Sequence, residues 1–294
     1  MINSEEVWIG NIYRPPSEAY SIILQATIGC SHNKCTFCNM YKSKKFSIKP
    51  IEKIKSEIEY FRKRVKYAER IFLADGDAMI IPTEMLLEIL AYLKKVFPEC
   101  KRISSYATPK SIKLKTNDEL RKIRESGISL LYIGLESGDD KVLEKINKGV
   151  SSDELAALCR KAKEAGFSLS VTFIAGILGK KDWKDHAVNT GKLISRIEPD
   201  YAGILSLMLE EGTEIYTEYL KGEFQEAEGI DILKEIEKMI ENINVKAPVI
   251  FRANHASNYL NLGGTFPQDK ERLISQIKDA LDRYDVKDKK YRRL

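Results

Sequence analysis

The sequence has no long apolar run: nothing in its 294 residues approaches the roughly 18 consecutive apolar positions of a membrane-crossing helix. Its opening, MINSEEVWIGNIYRPPSEAY, brings acids early and lacks the apolar centre of a secretory signal. A cytoplasmic protein with no membrane partner is therefore expected. Net charge is also small, with 48 basic against 43 acidic side chains leaving +5. That falls short of the bias of a dedicated nucleic-acid binder, so nucleic acid is an unexpected partner. Clusters such as KSKK, RKRVK and KDKKYRRL read as solvated faces. Cysteine is scarce, five in all, and an odd number in a reducing compartment argues against a disulfide scaffold.

What cysteine there is lies concentrated. The stretch IGCSHNKCTFCNMYK carries Cys30, Cys35 and Cys38 at C-x4-C-x2-C. Three thiols are one short of a closed zinc site and one more than a disulfide needs. Soft thiolates select zinc, copper(I) or an iron–sulfur cluster. Zinc would require His32 or His255 as a fourth ligand, and its ligands more often come in two separated pairs. Cys100, after a helix end, and Cys159, on the stripe of Leu155, Leu158 and Ala162, read as packing residues.

Around this loop the chain alternates short apolar runs with segments of helical period. Strands are expected at 20–28, 70–75, 102–107, 129–136, 167–176 and 201–209, and helices at 50–68, 82–97, 116–126, within 139–165, and at 181–196. Pro50 and Pro82 open helices, Ser151 and Glu154 form a capping box, and Gly166 stops a helix. Strands that are each followed by a helix give an α/β fold with a parallel sheet. Beyond 212 the rhythm turns helical, at 213–221, 230–242 and 269–284, with the run APVIFRANHASNYLNLGGTFP between. The expected organisation is an N-terminal arm (1–19), a core (20–212) and a C-terminal extension (213–294) packed on the same domain. The cysteine loop leaves the first strand at its carboxyl end, where parallel sheets place their active sites.

Taken with these features, the loop resembles the radical S-adenosylmethionine (SAM) superfamily. The commonest spacing there is C-x3-C-x2-C, so the first gap here is one residue longer. The likeness continues beyond the cysteines. Phe37 precedes the third cysteine, as an aromatic residue often does in the family. ADGDAM places Gly76 and Asp77 on the family's Gly-Gly-Glu-like motif. YIGLESGDDKVLEKINKG resembles the fourth-strand segment of the branch with oxygen-independent coproporphyrinogen oxidases and methylthiotransferases. VTFIAGILG resembles the fifth-strand glycine motif, and LSLMLEEGTEIY the sixth-strand region.

The resemblance implies a partial parallel (β/α)6 TIM-like barrel with a helical C-terminal extension. It implies a [4Fe-4S] cluster on Cys30, Cys35 and Cys38, with SAM chelating the fourth iron. Phe37, Gly76, Asp77, Glu136, Ser137, Lys148 and Gly176 become expected SAM contacts. Electron transfer to SAM then yields a 5'-deoxyadenosyl radical that abstracts hydrogen from a small-molecule substrate, the electron coming from a reductant such as flavodoxin or ferredoxin. Two other functions stay open. One is RNA modification, although no RNA-binding module is visible; the other is a non-catalytic iron–sulfur carrier or regulator. Arg252, Asn254 and His255 form a candidate substrate wall, with Arg252 suited to a carboxylate or phosphate.

Overall fold

Short apolar runs bounded by turn residues become strands, and longer amphipathic stretches become the helices that cover them. The computed structural model describes residues 7–292; the first six residues of the expected arm and the last two of the extension lie outside the described residues. In chain order the elements are β1 (Ile22–Gln25), β2 (Thr27–Ile28), β3 (Ser47–Ile48), α1 (Ile51–Arg64), β4 (Arg70–Ala74), α2 (Thr83–Val96), β5 (Arg102–Tyr106), α3 (Pro109–Leu114), α4 (Asn117–Glu125) and β6 (Ile128–Glu136). They continue with α5 (Asp140–Lys145), α6 (Ser152–Glu164), β7 (Ser168–Ala175), α7 (Trp183–Ile197), β8 (Tyr201–Ser206), α8 (Glu214–Leu220), α9 (Gly229–Glu241), β9 (Val249–Ala253), β10 (Leu262–Phe266) and α10 (Lys270–Asp282).

The main sheet is mostly parallel and runs β1-β4-β5-β6-β7-β8-β9-β10. This is the α/β, partial TIM-like architecture expected from the sequence. The chain divides into two units, one of residues 7–33, 40–133 and 160–169, the other of residues 34–39, 134–159 and 170–292.

In the first unit β1, β4, β5 and most of β6 pair in parallel, with Ile22 opposite Ile71, Ile71 opposite Ile103 and Tyr106 opposite Tyr132. Ile23, Phe72, Ala74, Leu130 and Tyr132 form one apolar cluster, with Tyr106 set edge-on to Phe72 at 5.0 Å. The N-terminal arm reaches under it. Glu18 is fully buried and accepts hydrogen bonds from Tyr132 Oη (2.6 Å) and from Arg102 Nη2 (2.7 Å) at the first residue of β5. The arm thus reaches the amino end of β5 through Glu18, while nearer its start Ile9 exchanges hydrogen bonds with Gln25 at the carboxyl end of β1. The α1 helix is fixed from below by a buried pair, with Lys49 Nζ 2.8 and 3.0 Å from the Glu57 oxygens and 2.8 Å from the Val7 carbonyl.

In the second unit β7 and β8 pair in parallel, with Val171 opposite Ala202. The C-terminal extension is helical but also adds two strands: β9 continues the parallel ladder beside β8, and β10 turns back antiparallel on β9. Val249, Phe251 and Ala253 point inward in strict alternation. The exposed Arg252 and the Gly263–Gly264 pair break the apolar pattern that would announce a hairpin. Strand character here comes from the free edge of β8, a non-local partner. A second difference lies at the start. The expected strand 20–28 divides after Gln25, and Thr27–Ile28 pairs antiparallel with Ser47–Ile48, closing the neck of the cysteine loop.

Candidate active site

In the first unit the loop leaves β2 through Gly29 and Cys30. Gly76, just past the end of β4, touches it: its N–H donates to the Gly29 carbonyl (3.1 Å), and a Cβ on Gly76 would stand 3.0 Å from Cys30 Cβ and 2.8 Å from Tyr41 Cε2. Glycine is required there by close approach. The next side chain, Asp77, is fully buried. Its Oδ2 accepts from Ser31 Oγ (2.5 Å) and Thr108 Oγ1 (2.7 Å), while Oδ1 makes no hydrogen bond. Burial pushes the Asp77 pKa up, opposed by the hydroxyls of Ser31, Thr108 and Ser111. A desolvated carboxylate with one idle oxygen, beside the first cysteine, suits an incoming cationic donor.

In the second unit residues 34–39 carry Cys35, Phe37 and Cys38. Thr36 is held from both sides, its N–H donating to Ile146 O (3.1 Å) and its carbonyl accepting from Ile215 N–H (3.2 Å). Asn147 Nδ2 donates to Lys34 O (3.2 Å) and Asn39 Nδ2 to Glu211 O (2.9 Å). The ends of α5 and α8 therefore fix the backbone on which the second and third thiols and the half-buried Phe37 are mounted. Cys30, Cys35 and Cys38 form no disulfide and are half-buried. Among the described residues no three His, Cys, Asp or Glu side chains converge closely enough to hold a single metal ion.

Glu136 ends β6 at φ 69°, a left-handed conformation rare for a side chain of this size. Its carboxylate folds back over its own strand, where a Cβ on Gly134 would come within 2.1 Å of Oε1, and it meets Lys148 Nζ at 3.0 Å. The structure so brings together two expected SAM contacts. Ser137 is placed differently: it is fully buried, with Oγ 2.8 Å from His186 Nδ1. His186 Nε2 lies 3.2 Å from both the Ile174 carbonyl and Glu235 Oε1; no hydrogen bond forms to that carboxylate oxygen. Glu235 Oε2 accepts from Gly176 N–H (3.0 Å). Gly176, at φ 79°, must be glycine, because a Cβ would meet Ile232 Cδ1 at 2.4 Å.

At the end of β9, Arg252 is exposed and its Nη1 donates to Phe251 O (2.7 Å) and Gly264 O (3.2 Å), so part of the guanidinium is bound to backbone. Asn254 is exposed. His255 is half-buried, with Nδ1 accepting from Ser257 N–H (3.2 Å). Burial, followed by the Lys287 ammonium, lowers its pKa from the ordinary 6.5. A histidine with a lowered folded pKa contributes stability above the unfolded value, and that contribution is lost as pH falls through the folded pKa. His255→Gln is accordingly expected to flatten the acid limb of the stability curve below pH 6.5, read as urea midpoints across pH.

Sequence reasoning passes over Ser31, Thr108, His186 and Glu235. Signals exist for the last three. Thr108 stands before Pro109 as a helix cap, with its side chain accepting from Ser111 N–H. His186 and Glu235 interrupt the apolar stripes of α7 and α9, where Thr190, Leu193 and Ile197, and Ile232, Ile236 and Met239, are buried.

Over 218 residues the chain is 26% identical to an uncharacterised protein of Methanocaldococcus jannaschii, covering 70% of this chain and 66% of the other. Over 171 residues it is 23% identical to the heme chaperone HemW of Bacillus subtilis, covering 55% and 44%. Among solved structures, methylornithine synthase (PylB) superposes with a TM-score of 0.54 at 18% identity, over 76% of this chain and 63% of that one. Coproporphyrinogen III oxidase (HemN) of Escherichia coli does so with a TM-score of 0.53 at 17% identity, over 90% and 52%. These matches span between 44% and 66% of the relatives' own lengths, and the structural likeness is one of fold. The profile of the radical SAM superfamily matches residues 24–190, more than half of the chain and all of the segment from the cysteine loop through Gly176. The chain belongs to the radical SAM superfamily.

Proposed function

We propose that this enzyme holds a [4Fe-4S] cluster on Cys30, Cys35 and Cys38, binds SAM beside it, and abstracts hydrogen from a small-molecule substrate. The observation that carries the reading is Asp77: a fully buried carboxylate with one oxygen engaged by Ser31 and Thr108 and the other without a hydrogen bond. When bound, the cluster and SAM supply a one-electron cleavage that makes a carbon radical, chemistry no side chain provides.

The residues' part is to bind and orient. Ser31 and Thr108 fix the rotation of the Asp77 carboxylate so that Oδ1 would accept from the SAM amino group, and the charge-assisted bond would offset the cost of burying that carboxylate. Gly76 keeps its own position free of a side chain. Lys148 steadies Glu136 for the SAM hydroxyls or carboxylate, and Ser137 acts through His186. Phe37 and Gly176 border the adenine by backbone and by the space a missing Cβ leaves. Asn254, His255 and, with less of its donor set available, Arg252 face substrate. The reductant is flavodoxin or ferredoxin, and the compartment is a reducing one such as the cytoplasm.

Anaerobic reconstitution followed by dithionite and SAM tests the reading. The expected result is equal iron and sulfide bound per chain and formation of 5'-deoxyadenosine. An intact cluster that yields no 5'-deoxyadenosine overturns the reading. The likeness to HemW favours one second reading, a haem carrier on the same scaffold. Stoichiometric haemin binding by that preparation, with no SAM cleavage, would support it.

A further inference from the structure

Asp75, the residue between β4 and Gly76, has no role in the reading above. It is fully buried at the carboxyl end of its strand, and its Oδ2 gathers three donors from different parts of the first unit. These are Gly29 N–H at 3.0 Å, Gln25 Nε2 at 3.1 Å and Lys44 Nζ at 2.7 Å. Gly29 immediately precedes Cys30, and Lys44 lies at the far end of the same loop. One carboxylate oxygen therefore grips both ends of the cysteine loop. Lys44 Nζ also donates to the Asn11 carbonyl, and Gln25 exchanges hydrogen bonds with the backbone of Ile9, so the N-terminal arm is tied to the same point. The two ends are in close contact: a Cβ on Gly29 would stand 3.3 Å from Lys44 Cβ.

The energetics favour a positioning role over one in stability. The side chains of Lys44 and Asp75 are 6% and 0% exposed, and desolvating two charges consumes most of their mutual attraction. Asp75 Oδ1 is buried without a hydrogen bond, a further cost. An apolar pair of similar volume would stabilise this spot as well or better. What the ion pair supplies is directional. With Gly29 N–H fixed on Oδ2 and Gly76 N–H on the Gly29 carbonyl, the two consecutive peptide groups that flank the Gly29 Cα and lead into Cys30 are each held.

We infer that Asp75 and Lys44 form a clasp that sets the position of the Cys30 thiol, making both positioning residues for the cluster loop. The inference rests on the proposed cluster-binding role of Cys30, but its test does not use the cluster. In the full-length apo chain, iodoacetamide labelling of Cys30 is measured by mass spectrometry against Cys100, a half-buried thiol of the same unit. Asp75→Asn and Lys44→Met are compared with Glu57→Gln, which weakens another buried ion pair of that unit. All are assayed well below their unfolding midpoints.

A loosened clasp should raise the Cys30 to Cys100 labelling ratio about 10-fold in the Asp75 and Lys44 variants through local opening. Glu57→Gln should leave the ratio unchanged, and Lys44→Arg should restore most of it. Equal acceleration at both cysteines, no change, or the same ratio shift in Glu57→Gln would each overturn the clasp. The ratio can fail while reconstitution still yields 5'-deoxyadenosine, and it can hold when reconstitution does not, so the two readings are separable.

Discussion

Asp77→Asn is expected to leave the apo protein as stable as the parent or more so, while weakening SAM binding about 100-fold, the worth of a lost charge-assisted bond. The substitution keeps shape. The Ser31 and Thr108 hydroxyls can each turn from donor to acceptor, so an amide replaces the carboxylate without orphaning them. What disappears is the buried charge. Burial raises the Asp77 pKa above its unfolded 3.8, so the folded state holds its proton more tightly. The sign follows from linkage: Asp77's contribution to stability is present below pH 3.8 and lost as pH rises through the folded pKa. Asparagine removes that loss. SAM binding requires the ionised carboxylate, so wild-type affinity should rise with pH through the same window, and the variant's should stay flat. Thermal melts of apo protein and calorimetric titration of reconstituted protein with SAM read the two effects separately. A lower melting temperature with unchanged SAM affinity would make Asp77 a structural residue.

The contrast between Asp77 and Asp75 shows where the sequence can be read and where it cannot. ADGDAM ends an apolar run, so a turn at the carboxyl end of a strand follows from local pattern alone, and so does the siting of the cysteine loop after β1. The parallel α/β order is likewise legible, because strand and helix periods alternate clearly. What no local pattern carries is which of two flanking aspartates grips what. Asp75 meets Lys44, 31 residues back, and Asp77 meets Thr108, 31 residues ahead, partners that only the sheet brings near. The same holds for β3, two residues long and defined only by its pairing with β2, and for β9, whose strand character depends on the open edge of β8. Ser137 is the instructive case within the candidate site. Its position after Glu136 is legible, but the face it presents is decided by a histidine 49 residues away.

That histidine leads to the second large effect, at Glu235. The carboxylate lies 1% exposed on α9 and joins two strand ends within the second unit. It accepts from Gly176 N–H just beyond β7, and it stands 3.2 Å from the His186 imidazole, whose other nitrogen meets Ser137 just beyond β6. One turn before it on the same helix, Ile232 approaches Gly176 so closely that no Cβ fits. Helix α9 therefore fixes Gly176 twice, by Glu235 accepting a hydrogen bond from its N–H and by contact from Ile232. Glu235→Ala removes the acceptor of a buried N–H, the neighbour of a buried imidazole and the volume between them. Together these should cost about 3–5 kcal/mol, read as a drop in the urea midpoint. Glu235→Gln retains an oxygen for Gly176 and fills the space, so it should recover most of that stability and, if Gly176 borders the adenine, most of the SAM affinity. An alanine variant within about 1 kcal/mol of the parent would rule out this network as the support of the two strand ends. Equal losses for alanine and glutamine would instead place the requirement on the carboxylate's charge beside His186 and leave the shape of the site secondary.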